Sequence, residues 1–266
     1  MARTTRPRPG SPADRRRRFS QNFLADPGAA RHVVRVSGVT SDDLVVEVGP
    51  GEGALTRFLA PAARRVIAYE IDRRLAERLA ARYRDPDRGV RVVCADFTRA
   101  RPPRGPFAVV GNIPYARTAD IVRWCLDAPG LTSATLVTQL EYARKRTGAY
   151  GRWTRLTVLT WPEWSWTLAG RIDRRRFRPV PRVDSGVLTL RRRSEPLLPP
   201  ERRGAYRRTV ELGFGGAGGS LGASLRRAHP ARRVDAALRT AGVARATPVG
   251  LVTPDQWLAL FTVLEA

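Results

Sequence analysis

The sequence predicts an α/β protein with a mostly parallel, doubly wound sheet, followed by a small all-α domain. Short apolar runs of β type alternate with amphipathic stretches of helical spacing between residues 44 and 148. That alternation is typical of a parallel sheet whose strands are joined by helices. Beyond residue 194, the remaining periodic segments have helical spacing alone. These observations favour one α/β domain and one helical domain.

The β-type runs and the helical patterns follow one another without an internal repeat. Strands are predicted at residues 44–48, 65–71, 90–96, 107–112 and 133–140. Helices are predicted at residues 54–63, 72–83, 119–127 and 141–148. In the second of these helices, Leu75, Leu79 and Tyr83 share one face, as expected of a helix that covers a sheet. Further strands are predicted within residues 156–170 and 182–193.

A change of composition marks the expected domain boundary. The segment SEPLLPPERR (194–203) shifts abruptly to proline and charged residues. After it, ARRVDAALRTAGV and PDQWLALFTVLEA have the spacing of amphipathic helices. We therefore expect a basic, disordered arm over residues 1–18, the α/β domain over residues 19–193 and the helical domain over residues 194–266.

The charge balance indicates a nucleic-acid partner. Lys and Arg total 48 against 24 Asp and Glu, which gives a net charge of +24 and an isoelectric point near 11.6. Lys145 is the only lysine, and the guanidinium group of arginine pairs well with phosphate. The basic residues expected to contact phosphates are Arg15, Arg16, Arg17, Arg18, Arg144, Lys145, Arg146, Arg174, Arg175 and Arg176.

The composition also argues against several other classes of protein. With 2 cysteines and 2 histidines, the chain has too few ligands for a disulfide framework or a His/Cys metal cluster, so we expect no metal. Cys94, inside the apolar run VRVVCAD, is expected to be a buried strand residue. Because there is neither a long apolar run nor the apolar core of a signal peptide, we expect a cytoplasmic protein without a membrane span.

A glycine loop follows the first predicted strand in VVEVGPGEGALT (45–56). Gly49, Gly51 and Gly53 allow the backbone to turn sharply and to approach a ligand closely. Dinucleotide-binding enzymes use a similar pattern, so the loop alone does not define the ligand. Glu47 before the loop and Glu52 within it suit a cationic ligand better than a pyrophosphate.

Acidic residues also end the next two predicted strands. At the end of the second strand, Glu70 can accept hydrogen bonds from both hydroxyls of a ribose. At the end of the third, Asp96 can accept one from an adenine amino group, beside an apolar contact from Phe97. Ribose, adenine and a positively charged amino-acid end together describe S-adenosylmethionine. The joint placement at successive carboxyl ends of strands therefore predicts a site for that cofactor.

The fourth strand is followed at once by three special side chains in GNIPY (111–115). Asn, Pro and Tyr are common in turns, so the segment alone reads as a loop. Behind a cofactor site, however, the Asn112 oxygen and the carbonyl of Ile113 or Pro114 can accept both N–H bonds of an amine. Tyr115 can stack on the base that carries this amine. The segment then predicts a pocket for a target base.

Several motifs in order along the chain resemble those of the rRNA adenine N6-methyltransferases. They are RFSQNFLADP (18–27), EVGPGEGALT, YEID, CADF, GNIPY and FRPVPRVDSGVL (177–188). The family unites the dimethyltransferases of small-subunit rRNA with the Erm methyltransferases of 23S rRNA. The Erm branch is the closer likeness, on the NIPY form and on TQLEYARKRTG, YGRWTRLTVLTWPE and the glycine-rich stretch after residue 213.

This resemblance implies a Rossmann-like class I methyltransferase domain and a small helical C-terminal domain that binds RNA. It implies transfer of one or two methyl groups from S-adenosylmethionine to N6 of one adenine in the peptidyl-transferase region of 23S rRNA. Such methylation would block macrolides, lincosamides and streptogramin B. The expected partner is therefore 23S rRNA, and we expect a monomer.

The resemblance also implies roles for individual residues. The target base would be held by Asn112, Pro114, Tyr115 and Phe177, with Phe177 closing its second face. The cofactor would be held by Asn22, Phe23, Leu24, Gly49, Gly51, Glu70, Ile71, Asp96, Phe97 and Asn112. Three alternatives stay open: a 16S rRNA adenine dimethyltransferase, a non-catalytic nucleic-acid-binding relative and, less well supported, a nicotinamide dehydrogenase.

Overall fold

The computed structural model describes residues 22–216 and 220–265 of the chain. The expected arm of residues 1–18, with Arg15, Arg16, Arg17 and Arg18, lies outside this range. The strands are β1 (Phe23–Leu24), β2 (Leu44–Val48), β3 (Arg65–Glu70), β4 (Val90–Cys94), β5 (Phe107–Asn112), β6 (Leu131–Gln139), β7 (Trp164–Ile172), β8 (Phe177–Arg178) and β9 (Ser185–Arg192).

Helices connect most of these strands, and the last four follow β9. They are α1 (Pro27–Ser37), α2 (Thr56–Leu59), α3 (Arg73–Arg82), α4 (Thr118–Asp127), α5 (Leu140–Arg146), α6 (Arg155–Thr160), α7 (Pro200–Phe214), α8 (Leu221–Leu225), α9 (Ala231–Thr240) and α10 (Pro254–Leu264). Short 3₁₀ turns lie at Pro86–Arg88, Phe97–Arg99, Tyr115–Arg117, Arg174–Arg176 and Val249–Leu251. Within the described ranges, the helices are too short or too polar to cross a lipid bilayer.

A seven-stranded sheet has the order β4-β3-β2-β5-β6-β9-β7, and β1 pairs with β8 in a separate antiparallel ribbon. Strand β2 runs parallel to β3 and β5, and β3 runs parallel to β4. The register sets Val48 opposite both Tyr69 and Gly111, and Glu70 opposite Cys94. The carboxyl ends of four strands therefore meet at one edge of the sheet.

The central strands form where the sequence is apolar on both faces. In β2, Val45, Val46 and Val48 are all buried, as expected of a parallel strand covered on both sides. Helix α3 is capped at its N-terminus by Asp72, whose carboxylate accepts hydrogen bonds from the N–H groups of Arg74 and Leu75. The predicted α/β architecture is confirmed, with the strand at 107–112 matching β5 at both ends.

Three local predictions were wrong. Residues 54–63 form only the short helix α2. Residues 156–160, predicted as part of a strand, belong to helix α6, and Thr154 caps the first turn of that helix. Val158 of this helix packs in the apolar core of the second unit, and this packing outweighs the β preference of LTVLT. Cys94 is exposed because β4 is an edge strand of the sheet.

Contacts along the chain define two compact units. Among the described residues, the first comprises residues 22–131, Leu136–Thr138 and Ile172–Ser185, and the second comprises Thr132–Thr135, Gln139–Arg171 and residues 186–216 and 220–265. The second unit has its own apolar core, in which Tyr206 and Phe261 meet edge to face. Its C-terminal part is helical, as predicted. The domain boundary expected after residue 193 follows directly on the end of β9 and stays a prediction.

Candidate active site

A cavity of about 200 Å³ lies at the carboxyl ends of β2, β3, β4 and β5, within the first unit. It is lined by Asn22, Phe23, Val48, Gly49, Gly51, Tyr69, Glu70, Ile71, Ala95, Asp96, Phe97, Thr98, Asn112, Ile113, Pro114, Tyr115, Ala116, Arg117 and Ile121. Nearly all of the residues expected to hold a cofactor or a target base thus lie around a single cavity. They converge because the parallel register brings the strand ends together.

The glycine loop forms one wall of the cavity and requires residues without a side chain. Gly49 and Gly51 have φ angles of +64° and +57°, in the left-handed region that disfavours other residues. A Cβ atom added to Gly51 would lie 2.8 Å from Cδ1 of Phe23, so the Phe23 ring already fills the space above the loop. The loop therefore exposes its backbone to the cavity, as close approach by a ligand requires.

Glu70 links the loop to the end of β3. One of its carboxylate oxygens accepts the Gly51 N–H and the other accepts the Asp72 N–H, each at 2.9 Å. Burial raises the pKa of Glu70 above its ordinary value, although these backbone hydrogen bonds act in the opposite direction. Because a carboxylate offers about four lone-pair sites, Glu70 can still accept hydrogen bonds from the hydroxyl groups of a ligand in the cavity.

Asp96 is held in place by the residues that follow it. Its Oδ1 accepts hydrogen bonds from the backbone N–H of Thr98 at 2.9 Å and from the Thr98 hydroxyl at 2.8 Å. Burial acts to raise the pKa of Asp96, but these hydrogen bonds and the charge of Arg117 hold it below the ordinary value. Asp96 is therefore an ionised acceptor at neutral pH. Next to it, the buried Phe97 ring packs on Trp124, with 4.2 Å between ring centroids.

Asn112 is oriented by a hydrogen bond to the segment before β1. Its Nδ2 donates to the backbone carbonyl of Asn22 at 2.7 Å, and that bond identifies which end of the amide is the nitrogen. The Oδ1 atom is consequently left as the acceptor. Two residues on, the carbonyl of Pro114 accepts the Arg117 N–H at 2.9 Å. Since that carbonyl is already engaged, the Ile113 carbonyl is the better second acceptor for an amine.

Tyr115 is fixed at its hydroxyl end. The hydroxyl shares a hydrogen bond of 2.7 Å with the hydroxyl of Ser185, at the start of β9. Burial raises the pKa of Tyr115, and the nearby charge of Asp184 adds to that effect, so the phenol stays neutral at physiological pH. Because the hydroxyl is anchored while the side chain lines the cavity, Tyr115 offers an aromatic surface to a ligand.

Two of the expected site residues are buried away from the cavity. Leu24 and Phe177 face each other in the register of the β1–β8 ribbon, and the Phe177 side chain has no exposed surface. Neither residue is among the described residues that line the cavity. In this conformation Phe177 serves as a core aromatic residue. Its stacking on a target base stays a prediction that requires the ribbon to move.

The two glutamates of the loop, expected to suit a cationic ligand, lie away from the cavity in this conformation, so that role stays a prediction. The Thr56 hydroxyl donates to Glu47 Oε2 at 2.7 Å, and Glu47 is fully buried. Burial raises the pKa of Glu47 to about 8, so the carboxyl is mostly protonated at neutral pH. Glu52 is exposed. Neither is among the described residues that line the cavity.

The basic residues of the second unit differ in how they are engaged. On α5, Lys145 pairs with Glu141 at 2.8 Å, and Arg146 donates to the Thr154 hydroxyl at 2.8 Å. Arg144 lies over the ring of the exposed Tyr150, with its Cζ atom 5.8 Å from the ring centroid. Arg146 therefore holds the α5–α6 connection in place. Arg144 is the member of the trio best placed for an external phosphate.

The arginine turn of the first unit is tied to nearby acidic residues. Arg175 makes a two-pronged contact with Asp173, and Arg176 pairs with Asp26. The Arg174 side chain donates to the Arg182 carbonyl at 3.2 Å. These guanidinium groups stay exposed on one side, so their contact with RNA stays a prediction.

Three residues of the cavity were not predicted from the sequence. Tyr69, Thr98 and Arg117 all line it, and Thr98 and Arg117 both contact Asp96. Tyr69 could have been found from its place beside Glu70 at the end of β3. Thr98 could have been found from the Asp-x-Thr pattern of a capped turn. The position of Arg117 in the cavity gives no signal of this kind, because Asp96 and Thr98, its partners there, are distant in sequence.

Comparisons with known proteins agree on one family. The family described as Ribosomal RNA adenine dimethylase matches residues 13–266. An rRNA adenine N-6-methyltransferase from Streptomyces fradiae is 56% identical over 94% of this chain and 79% of its own length. The mycinamicin-resistance protein MyrB from Micromonospora griseorubida is 37% identical over 92% of this chain and 78% of its own length. The crystal structure of the 23S rRNA methyltransferase ErmE covers 92% of this chain and 100% of its own, with 51% identity and a TM-score of 0.89.

Proposed function

Because this chain belongs to the ribosomal RNA adenine dimethylase family, we propose that it methylates N6 of one adenine in 23S rRNA with S-adenosylmethionine as methyl donor. The observation that carries this proposal is the Asn112 amide. Its nitrogen is engaged by Asn22, and its oxygen is left as an acceptor in the cavity that Glu70 and Asp96 also line. The choice of 23S rRNA rests on the likeness to ErmE.

The residues of the cavity suit S-adenosylmethionine. Glycine at position 51 leaves backbone exposed where a Cβ atom would collide with Phe23. Glu70 would accept the ribose hydroxyls, and Asp96 would accept the adenine amino group, with Ile71 and Phe97 as apolar contacts. Phe23 and the backbone of Asn22 would cover the loop. When bound, S-adenosylmethionine supplies an electrophilic methyl group on a sulfonium.

The chain's own contribution to the reaction is orientation and electrostatics. An adenine amino group is a weak nucleophile because its lone pair is delocalised into the ring. The oxygens of Asn112 and Ile113 would accept its two N–H bonds, which directs the lone pair of N6 out of the ring plane. This arrangement favours the geometry of the transition state. A strong general base is not required, since the methylated nitrogen is acidic enough to lose its proton to water.

Tyr115 would hold the target base from one side. An adenine must leave its stack to reach the cavity, and an aromatic side chain can replace part of the lost stacking. The hydrogen bond to Ser185 restrains the phenol before the base arrives. Phe177 would contribute the second face only if the β1–β8 ribbon opens. We assign Tyr115 the main stacking role for this reason.

The partner of the protein would be RNA, and the consequence of methylation would be antibiotic resistance. The net charge of +24 suits RNA, and Arg144 with the Arg174–Arg176 turn would contact its backbone. The adenine would lie in the peptidyl-transferase region, where methylation would confer resistance to macrolides, lincosamides and streptogramin B. The likeness to a mycinamicin-resistance protein supports that consequence. We further propose a monomer that works in the cytoplasm.

A labelling experiment tests the proposal. Purified protein is incubated with labelled S-adenosylmethionine and, separately, with naked 23S rRNA and 16S rRNA, and the product nucleotide is mapped by mass spectrometry. We expect label at N6 of one adenine in 23S rRNA, and the mass distinguishes one methyl group from two. The Asn112→Ala variant serves as the matched control. Label in 16S rRNA alone would favour the small-subunit alternative, and no label in either would favour a non-catalytic binding protein.

A further inference from the structure

Arg117 lies between the turn that carries Tyr115 and the cavity wall that contains Asp96. It ends the 3₁₀ turn Tyr115–Arg117 that follows Asn112 and Pro114, and helix α4 begins directly after it. Its side chain is 44% exposed and also lines the cavity. One residue thus belongs both to the turn that carries Tyr115 and to the wall beside Asp96.

All three guanidinium nitrogens of Arg117 have a partner. Nε donates to Asp120 at 2.9 Å, Nη2 donates to the Thr98 hydroxyl at 2.8 Å, and Nη1 lies 3.7 Å from Asp96 Oδ2. Two of these partners, Thr98 and Asp96, follow β4, and the third is on α4. A planar fork can meet three partners in one plane, whereas the ammonium group of lysine cannot reproduce that arrangement.

The contacts around Asp96 divide between its two oxygens. Oδ1 is held by the backbone and the hydroxyl of Thr98, and Thr98 is itself held by Arg117. Oδ2 faces Arg117 at a distance beyond a hydrogen bond, which leaves it able to accept one from a ligand. Arg117 therefore restrains the Asp96 carboxylate through Thr98 on one side and through its charge on the other.

We infer that Arg117 is a positioning residue for the cofactor: it orients the Asp96 carboxylate toward the adenine amino group and ties that contact to the turn carrying Tyr115. The inference rests on the proposed cofactor. It assigns Arg117 a role exerted through Asp96, with no part in the transfer of the methyl group itself.

The test measures binding of S-adenosylhomocysteine by titration calorimetry, so it does not depend on turnover. We expect Arg117→Ala to weaken binding about tenfold, because Thr98 loses its hydrogen-bonding partner and Asp96 loses the nearby positive charge. Arg117→Lys should be nearly as weak, because one ammonium cannot meet three partners. Arg123→Ala, which removes an exposed arginine on the helix that follows Arg117, is the matched control and should bind like the wild type.

A double-mutant cycle separates positioning from a general structural effect. If Arg117 acts through Asp96, Arg117→Ala should change the affinity less than about twofold in an Asp96→Asn background. In steady-state assays, Arg117→Ala should raise KM for S-adenosylmethionine by a larger factor than it lowers kcat. Thermal unfolding without ligand checks the fold. Should Arg117→Ala prove unstable, Asp120→Ala removes one partner alone and should weaken binding by a smaller factor.

The outcomes distinguish this inference from the proposed function. Equal affinity of wild type and Arg117→Ala, or the same loss in the Asp96→Asn background, would overturn the role of Arg117 and leave the proposed cofactor standing. No binding of S-adenosylhomocysteine by the wild type would instead contradict the cofactor proposal itself.

Discussion

At the scale of single residues, the nitrogen and the oxygen of the Asn112 amide have different roles. The nitrogen bonds to the Asn22 carbonyl at 2.7 Å, so the side chain cannot rotate freely at the end of β5. The oxygen is consequently left as an acceptor, and in the proposed reaction it would accept a hydrogen bond from the substrate amine. The free-energy cost of ordering this acceptor is incurred during folding, so it does not add to the activation free energy of the reaction.

Replacement of Asn112 should separate chemistry from cofactor binding. We expect Asn112→Ala to lower kcat about a hundredfold, the usual cost of losing one preorganised hydrogen bond in an active site. The affinity for S-adenosylhomocysteine should fall by a much smaller factor, because the variant also releases the Asn22 backbone that would cover the cofactor loop. Asn112→Asp keeps an acceptor oxygen but loses the donor to Asn22, and it should give an intermediate rate. Single-turnover kinetics with calorimetry measure both effects, and an equal loss of cofactor affinity would argue against this role.

Gly51 leaves no room for a side chain beneath the Phe23 ring. In Gly51→Ala, the residue is strained at a φ of +57° and its Cβ collides with Phe23, so the loop and the aromatic cover above it must shift. We expect affinity for S-adenosylhomocysteine to fall at least tenfold, with about 1–2 kcal/mol lost from the free energy of unfolding. Gly105→Ala is the control, because a Cβ there meets nothing within 4 Å. Unchanged binding by Gly51→Ala would show that the loop does not approach the ligand.

At the scale of elements, β2 carries a carboxyl group into the interior. Glu47 lies fully buried in β2, with Thr56 at the start of α2 as its hydrogen-bond partner. Its pKa is raised to about 8 from an ordinary value of 4.5, with burial as the main cause. Between these two values the folded protein holds a proton that the unfolded chain releases. The free energy of unfolding from this group therefore falls as the pH rises through that window.

Removal of this charge should flatten the pH dependence of stability. In Glu47→Gln the amide oxygen can still accept the Thr56 hydroxyl, and nothing ionises. Relative to wild type, we expect the variant to gain on the order of a few kcal/mol in the free energy of unfolding between pH 5 and pH 8. Urea unfolding at several pH values measures this, with the exposed Glu52→Gln as the matched control. If the free energy of unfolding changed with pH in the same way for wild type and Glu47→Gln, the pKa of Glu47 would have to be the same in the folded and unfolded protein.

At the scale of the whole molecule, the excess of positive charge dominates. With a net charge of +24, binding to RNA should be driven largely by the release of counterions from phosphates. Such contacts position the RNA and do not select the adenine. Selection then depends on which adenine can leave its stack and reach Asn112 and Tyr115.

This charge predicts a steep salt dependence. We expect the affinity for a 23S rRNA fragment to fall by about a factor of a thousand between 50 mM and 200 mM salt, as for proteins with many phosphate contacts. Arg144→Gln should reduce the slope of log affinity against log salt by about one. Arg73→Gln, which removes an exposed arginine already paired with Glu77, should leave the slope unchanged. Fluorescence anisotropy measures both slopes, and equal slopes for wild type and Arg144→Gln would remove Arg144 from the interface.

Features that depend on neighbouring residues could be predicted from the amino-acid sequence. The apolar runs define β2 to β5, and Gly49, Gly51, Glu70 and Asp96 could be placed in one site because parallel strands align their carboxyl ends. Such features follow from local periodicity and from the geometry of parallel sheets.

Contacts between side chains that are distant in sequence are known only from the folded structure. The bond between Tyr115 and Ser185 spans 70 residues, and that between Arg117 and Thr98 spans 19. The burial of Phe177, the exposure of Cys94 and the helical state of α6 likewise depend on what packs against them. The physical reason is that packing and hydrogen bonding between distant segments carry energies comparable to local preference, and they act on groups that the sequence does not place side by side.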